Sequence, residues 1–314
     1  MKYKFFLYPI IPVLCICSCS KDGITAEPFP DSEMSEIATA PAVKTGRVYH
    51  AGFASQGSET KVYIDDNVKM HWDADDQVSI FAGTTSNMHY RFNGETGART
   101  GDFVPVTDTD GDVSGSPTEG NKIYSVYPYN PATTLATNGA LSVQMPGTQS
   151  YREKSFGLGA NTMVCISDDE ALYFHNACGY LVLKFYGSGN VSSVSVKGNN
   201  NEIIAGTANV TFNGENPSIA MGTGTDSVTL LCEDPVVLND QSTPKEFWFT
   251  LPPVIFSGGF TITVTGSNNV VKEISSSRQF TVSRNSVLRI SALEVNLMPQ
   301  NQIEDGEEVD GGNY

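Results

Sequence analysis

The residue with the best-defined chemistry is Cys19. It closes Ile16-Cys17-Ser18-Cys19, after Lys2, Lys4 and an apolar run from Phe5 to Ile16. A charged start, a short apolar run and a small residue before cysteine suit a peptidase that cuts ahead of a lipidated cysteine. The run is too short to cross a bilayer. Cys15 follows Leu14 and Cys17 follows Ile16, so Cys19 alone has the small neighbour that cleavage needs. An ordinary secretory leader with incidental cysteines is the competing reading. Acyl chains such as palmitate on Cys19, at about 0.8 kcal/mol per buried methylene, would hold the remaining chain at a membrane, outside the cytoplasm.

Other reactive groups are sparse. Asp108, Asp110, Asp112 and Glu119 fill positions one, three, five and twelve of a calcium loop, but Val113 stands where that loop needs glycine and Pro117 interrupts it. A solvated hairpin loop competes with calcium there, and no other cofactor is expected. The four histidines, His50, His71, His89 and His175, contain no His-x-x-x-His pair, so zinc is not expected. His175, beside Phe174, reads as a hydrogen-bonded core or rim histidine. Acid pairs such as Asp65-Asp66, Asp75-Asp76 and Asp168-Asp169 lack any sign of facing one another across a cleft, as a glycosidase requires. Neither a nucleophile elbow, a phosphate loop nor a dinucleotide fingerprint occurs in a strand-to-helix setting, and no catalytic residue is assigned. Trp72, Trp248, Tyr124, Tyr127 and Tyr129 are candidates for stacking on a sugar. The two tryptophans lie in apolar strands and read as core, which leaves Tyr129, next to Pro128, as the candidate ligand-stacking residue. Cys165, Cys178 and Cys232 are expected to be buried free thiols, with a Cys165–Cys178 or Cys178–Cys232 bridge as the alternative.

The 314 residues carry a formal charge of −16, which becomes −18 once Lys2 and Lys4 leave with the leader. That balance disfavours nucleic acid and anionic lipid as partners. Length suggests two domains. Residues 1–18 form the leader and 19–46 a Pro-rich, acidic composition typical of a flexible tether. From Val48, short apolar stretches alternate with turn signals: 48–53, 61–64, 68–72, 78–81, 88–92, 123–127 and 141–145. A polar stretch from Pro146 to Asp169 marks the boundary between an N-terminal β-sandwich over 47–165 and a C-terminal one over 166–298. The second domain has strands from Leu172 to Leu297, with tight turns at Asn213-Gly214 and Gly258-Gly259. Residues 299–314 are an acidic tail expected to be mobile. The chain is therefore expected to be all-β, with two tandem sandwiches.

From about Val48 to Leu297 the chain resembles the fimbrillin-like lipoproteins of Bacteroidales bacteria, a group of pilus stalk, anchor and tip subunits. The resemblance rests on Met70-His71-Trp72 with Asp76-Gln77-Val78-Ser79-Ile80-Phe81, on Tyr124-Ser125-Val126-Tyr127-Pro128-Tyr129, and on Met145-Pro146-Gly147-Thr148-Gln149. Phe174-His175-Asn176-Ala177-Cys178-Gly179-Tyr180-Leu181, Leu251-Pro252 and Phe260-Thr261-Ile262-Thr263-Val264 complete it. It implies transthyretin-like Greek-key sandwiches, outer-membrane attachment through lipid on Cys19, surface exposure, and assembly with other pilus subunits by donor-strand exchange after proteolysis at an arginine. Arg47, the first arginine after Cys19, is the candidate processing site. No arginine lies between Arg47 and Arg91, so a cut at Arg47 keeps the 48–53 strand, and the acidic tail makes a poor donor. An anchor, tip or free surface lipoprotein binding host or bacterial ligands thus competes with a polymerising stalk. The alternative outside this family is a surface glycan-binding lipoprotein.

Overall fold

The computed structural model describes residues 47–54, 70–106 and 115–298. Cys19, the tether, Asp108, Asp110, Asp112, the expected strand at 61–64 and the acidic tail lie outside them. The chain is all-β, with one short 3-10 turn at Glu119–Asn121 among the described residues. The opening strands are β1 (Tyr49–Phe53), β2 (Gln77–Ala82), β3 (Met88–Phe92), β4 (Gly101–Pro105) and β5 (Ile123–Tyr127). After them come β6 (Thr134–Leu135), β7 (Leu141–Met145), β8 (Thr148–Arg152), β9 (Ser155–Phe156), β10 (Met163–Ser167) and β11 (Ala171–Asn176).

Seven of these close into a barrel in the order β1-β11-β10-β5-β2-β3-β4. β1 completes the ring, parallel to β11 on one side and antiparallel to β4 on the other. Closure places β1 between two neighbours, so it is not an edge strand. Trp72 fills the interior, wholly buried, with the rings of Phe53, Phe92, Phe103, Tyr127 and Phe174 at centroid distances of 4.7 to 5.8 Å. Of the strand expected over 68–72, Trp72 forms only an isolated bridge with Ala98. Its N–H donates to the Ala98 carbonyl at 2.8 Å and its carbonyl accepts the Gly97 N–H at 2.9 Å, so its backbone is satisfied without a longer ladder.

The second half adds β12 (Gly179–Ser188), β13 (Asn190–Gly198), β14 (Ala205–Asn213), β15 (Asn216–Thr225), β16 (Ser227–Val237) and β17 (Lys245–Leu251). It ends with β18 (Val254–Phe256), β19 (Phe260–Gly266), β20 (Val271–Ser276), β21 (Phe280–Val282), β22 (Val287–Arg289) and β23 (Leu293–Asn296). A six-stranded sheet, β20-β19-β13-β16-β8-β9, faces a sheet in which β12 lies between β17 and, in succession, β22 and β23. Leu183, Phe185, Val194, Leu230, Phe249 and Val264 are among the buried residues between them. The period-two burial of β19 shows why these sequences form strands: one side chain in two meets the core. A third sheet, β15-β14-β7-β6, covers the outside of the barrel over β2, β5 and β10, burying Phe81, Val126 and Val164 against Leu141, Val143 and Val210. Every residue of β5 is therefore buried, since both its faces are covered.

Strand pairing departs from the expected division at 165/166. That cut falls inside β10, and β11 belongs to the barrel with strands of the first half. Conversely β7 pairs with β14, and β8 pairs in parallel with β16. Where a first sandwich was expected, the pairing closes a barrel. Residues 146–169, the polar stretch expected to mark the boundary between domains, hold β8, β9 and β10. The polar sequence of β8 conceals this because its buried side chain is Gln149, whose amide imitates a peptide group. Its Nε2 donates to the Thr250 carbonyl at 2.7 Å, and its Oε1 accepts the Thr250 N–H at 3.0 Å. A buried polar group with both functions satisfied carries little penalty.

Tyr127 donates its phenol to Asp76 Oδ1 at 3.0 Å, and the Asp73 N–H donates to Asp76 Oδ2 at 2.8 Å. Burial pushes the Asp76 carboxyl up to about 6, outweighing these bonds. A folded-state value above the unfolded one means that the native protein takes up a proton as pH falls, so Asp76 adds stability on acidification through 6 toward 4. His175, pulled down by burial, acts in the opposite sense. Comparing wild type with Asp76→Asn in thermal melts isolates the carboxyl. Relative to the variant, wild type should gain about 1 kcal/mol between pH 7.5 and pH 5. A pH-independent difference would show that the carboxyl titrates normally.

Candidate ligand cleft and assembly strand

Arg47 lies two residues before Tyr49, where β1 begins. Its Nε donates to Glu170 Oε1 at 2.9 Å and its guanidinium lies 5.8 Å from the centre of the Tyr49 ring, yet 52% of the side chain is exposed. The pair holds the Glu170 carboxyl below its usual range. β1 itself is held on both sides, with His50 opposite Ala171 and Phe53 opposite Phe174 along β11, and Tyr49 opposite Phe103 on β4.

The sequence candidates for ligand stacking fall in different places, and Tyr124 alone among them lines the cleft described below. Tyr129 lies flat on His89, with centroids 3.6 Å apart and planes at 10°, so one face of its ring is taken. Tyr127 and Trp72 are buried in the barrel. Trp248 is buried, its Nε1 donating to Glu246 at 3.0 Å and its ring covered by Arg289 at 4.9 Å. Glu119 opens the 3-10 turn, and its N–H donates to the Thr137 carbonyl at 3.0 Å. Among the described residues no group of three or more His, Cys, Asp or Glu side chains is placed to hold a metal ion. Cys165, Cys178 and Cys232 are free and buried, so neither alternative bridge forms. They lie in three different cores, and burial pushes the Cys165 and Cys178 thiols up to about 12 and Cys232 up to about 11.

A cleft of about 810 Å³ lies where the covering sheet stops short of β11, and of the sequence candidates for stacking it is lined by Tyr124. Alternation along β11 turns Leu172 and Phe174 into the barrel and Tyr173 outward, where 58% of it is exposed. Tyr124 and Phe212 form the inner wall, their rings 5.9 Å apart at 57°. The β14–β15 hairpin overhangs it. Gly214, at φ +59°, takes the positive angle that its two-residue turn requires, which brings Glu215 to the rim. Its carboxylate lies 3.9 Å from Nε2 of His175, whose side chain is only 5% exposed. Opposite, Lys122 donates to Asp168 at 2.5 Å, and Asp169 Oδ1 accepts the Ala171 N–H at 2.9 Å, tying down the turn into β11. A shallower depression of about 260 Å³ lies on the other side of β11, lined by His50, Thr100, Gly101 and Asp102 and sharing Ala171 and Tyr173 with the first. There His50 Nδ1 and Asp102 Oδ1 are 2.6 Å apart. Alternation of burial in 171–174 was the signal that could have singled out Tyr173.

No protein-family model matches this chain, and no curated protein matches it. Solved structures do show similarity. One is a candidate cell adhesion protein of Bacteroides ovatus, 13% identical over 78% of this chain and 91% of that one, with a TM-score of 0.46. Another is a fimbrial protein of the same species, 13% identical over 81% of this chain and 50% of that one, TM-score 0.32. A third is the tip fimbrial protein Mfa3 of Porphyromonas gingivalis with a C-terminal truncation, 9% identical over 79% of this chain and 96% of that one, TM-score 0.31. These structural neighbours are adhesion and fimbrial proteins.

Proposed function

We propose that the chain is a fimbrillin-like surface lipoprotein, a structural or adhesive subunit held to the outer membrane by lipid on Cys19. It belongs to a fimbrium assembled by strand exchange, at one end of the filament as anchor or tip, and uses no catalytic residue and no cofactor in that role. One observation supports the terminal position above all: the strand that follows exposed Arg47 is an integral stave of a closed barrel. Strand exchange needs an open edge with an apolar slot, into which a neighbour lays a strand and completes the ladder. Cleavage after Arg47 cuts the link to the lipid but leaves β1 covalently joined to the body, so the slot stays filled by the subunit's own Tyr49 and Ala51.

Purified protein beginning at Ser20, treated with an arginine-specific protease, should yield a new N-terminus at Val48 and stay monomeric on detergent gels. A detergent-resistant ladder would instead make it a polymerising stalk subunit. On cells carrying the full chain, immunogold should label the ends of surface filaments. Gold scattered over the surface without filaments would overturn the fimbrial role.

A further inference from the structure

We propose that the groove across β11 binds a neutral oligosaccharide, gripped by the exposed ring of Tyr173. The ring stands between the two depressions and shares a wall with each, so a ligand lying over it reaches both. That span suits a chain of several sugar rings. Stacking supplies the apolar contact, since a sugar ring presents a face of C–H bonds to an aromatic plane. Acceptors for hydroxyl groups stand on both sides: Asp169 and Glu215 in the larger depression, Asp102 in the smaller.

Three features select this ligand class. First, β11 is an interior strand of the closed barrel, paired to β1 from Ala171 to Phe174 and to β10 at His175 and Asn176, so it is not an edge strand open to an incoming peptide. Recognition must come from side chains alone. Secondly, the lining carboxylates outnumber Lys122, the one cationic side chain of the larger depression, which Asp168 already engages. Uronic and sialic acids, and anions in general, are repelled. Thirdly, Lys122 lies against Asp168 and the His50 imidazole against Asp102, which moderates the field that would draw a basic peptide. What remains is a neutral ligand rich in hydroxyl groups.

Binding at this groove involves a single molecule of the protein and no assembly step, so its failure would leave the fimbrial reading untouched. The test is titration calorimetry of the protein beginning at Ser20 with xylohexaose, mannohexaose, cellohexaose and an octalysine peptide. We expect at least one of the hexasaccharides to bind, with an affinity insensitive to salt. Tyr173→Ala should weaken it about tenfold or more, while Tyr173→Phe, which keeps the ring, should stay close to wild type. Because Tyr173 is exposed, its loss should leave the melting temperature unchanged, and Glu215→Gln provides a second variant, also expected to weaken binding. Absence of binding to every hexasaccharide, equal binding by Tyr173→Ala, or salt-sensitive binding of octalysine in their place would each overturn the proposal.

Discussion

Trp72→Ala is expected to lower the melting temperature by roughly 8–16 °C, the shift that a loss of about 4 kcal/mol produces in a body of this size. Five rings surround it, drawn from β1, β3, β4, β5 and β11. Removing the indole leaves a void bounded by strands that hydrogen-bond around a closed ring, so the walls cannot collapse inward without breaking pairs. Trp72→Phe should cost much less. It keeps an aromatic ring in place and removes an indole N–H that finds no hydrogen-bond partner among the described residues. Equal melting temperatures for wild type and Trp72→Ala would mean that the barrel interior adapts in a way its geometry denies.

Loss of β1 should be larger still. A protein beginning at Ala54 lacks wholly buried Tyr49, nearly buried Ala51 and the stack of Phe53 on Trp72, and both ladders beside the strand. Tyr49 alone represents about 3–5 kcal/mol by analogy with other aromatic truncations, and the exposed edges of β4 and β11 add unpaired backbone groups. Such a protein should associate or melt far below the parent. Adding a synthetic peptide of residues 47–54 should restore both its melting temperature and its monomeric state. A stable monomer without the peptide would show that β1 is dispensable to closure, and the terminal role proposed above would lose its basis.

Trp72 and β1 also show what the sequence conveys, and β8 what it withholds. Trp72 is recognisable as core from its apolar neighbours, and the 48–53, 123–127 and 141–145 strands stand almost where expected, because burial on one or both faces writes itself into apolar spacing. β8 is illegible by the same criterion. Its anchor is Gln149, and only the distant Thr250 backbone, 101 residues on, reveals why a glutamine is buried. Sheet partners are likewise long-range: nothing in the local pattern of Ala171–Asn176 assigns it to the barrel in place of the sandwich that follows. The cleft was missed for a related reason. Its walls come from β5, β11 and the β14–β15 hairpin, and Tyr173 is an ordinary outward residue of a strand until the covering sheet ends beside it.

The parallel course of the terminal strands has a mechanical consequence. β1 runs parallel to β11, β11 leads directly into β12, and β23 runs parallel to β12 with Phe185 opposite Leu293 and Ser188 opposite Asn296. Tension applied at the start of β1 is resisted by β11 from its far end, and tension at the end of β23 by β12 from its near end. In both places the load slides one strand along its neighbour, so that the hydrogen bonds of the ladder bear it together and do not peel apart one after another. A molecule tethered at one end and pulled at the other would carry the force through a short series of shear joints, leaving the β14–β15 hairpin that overhangs the cleft off the load path.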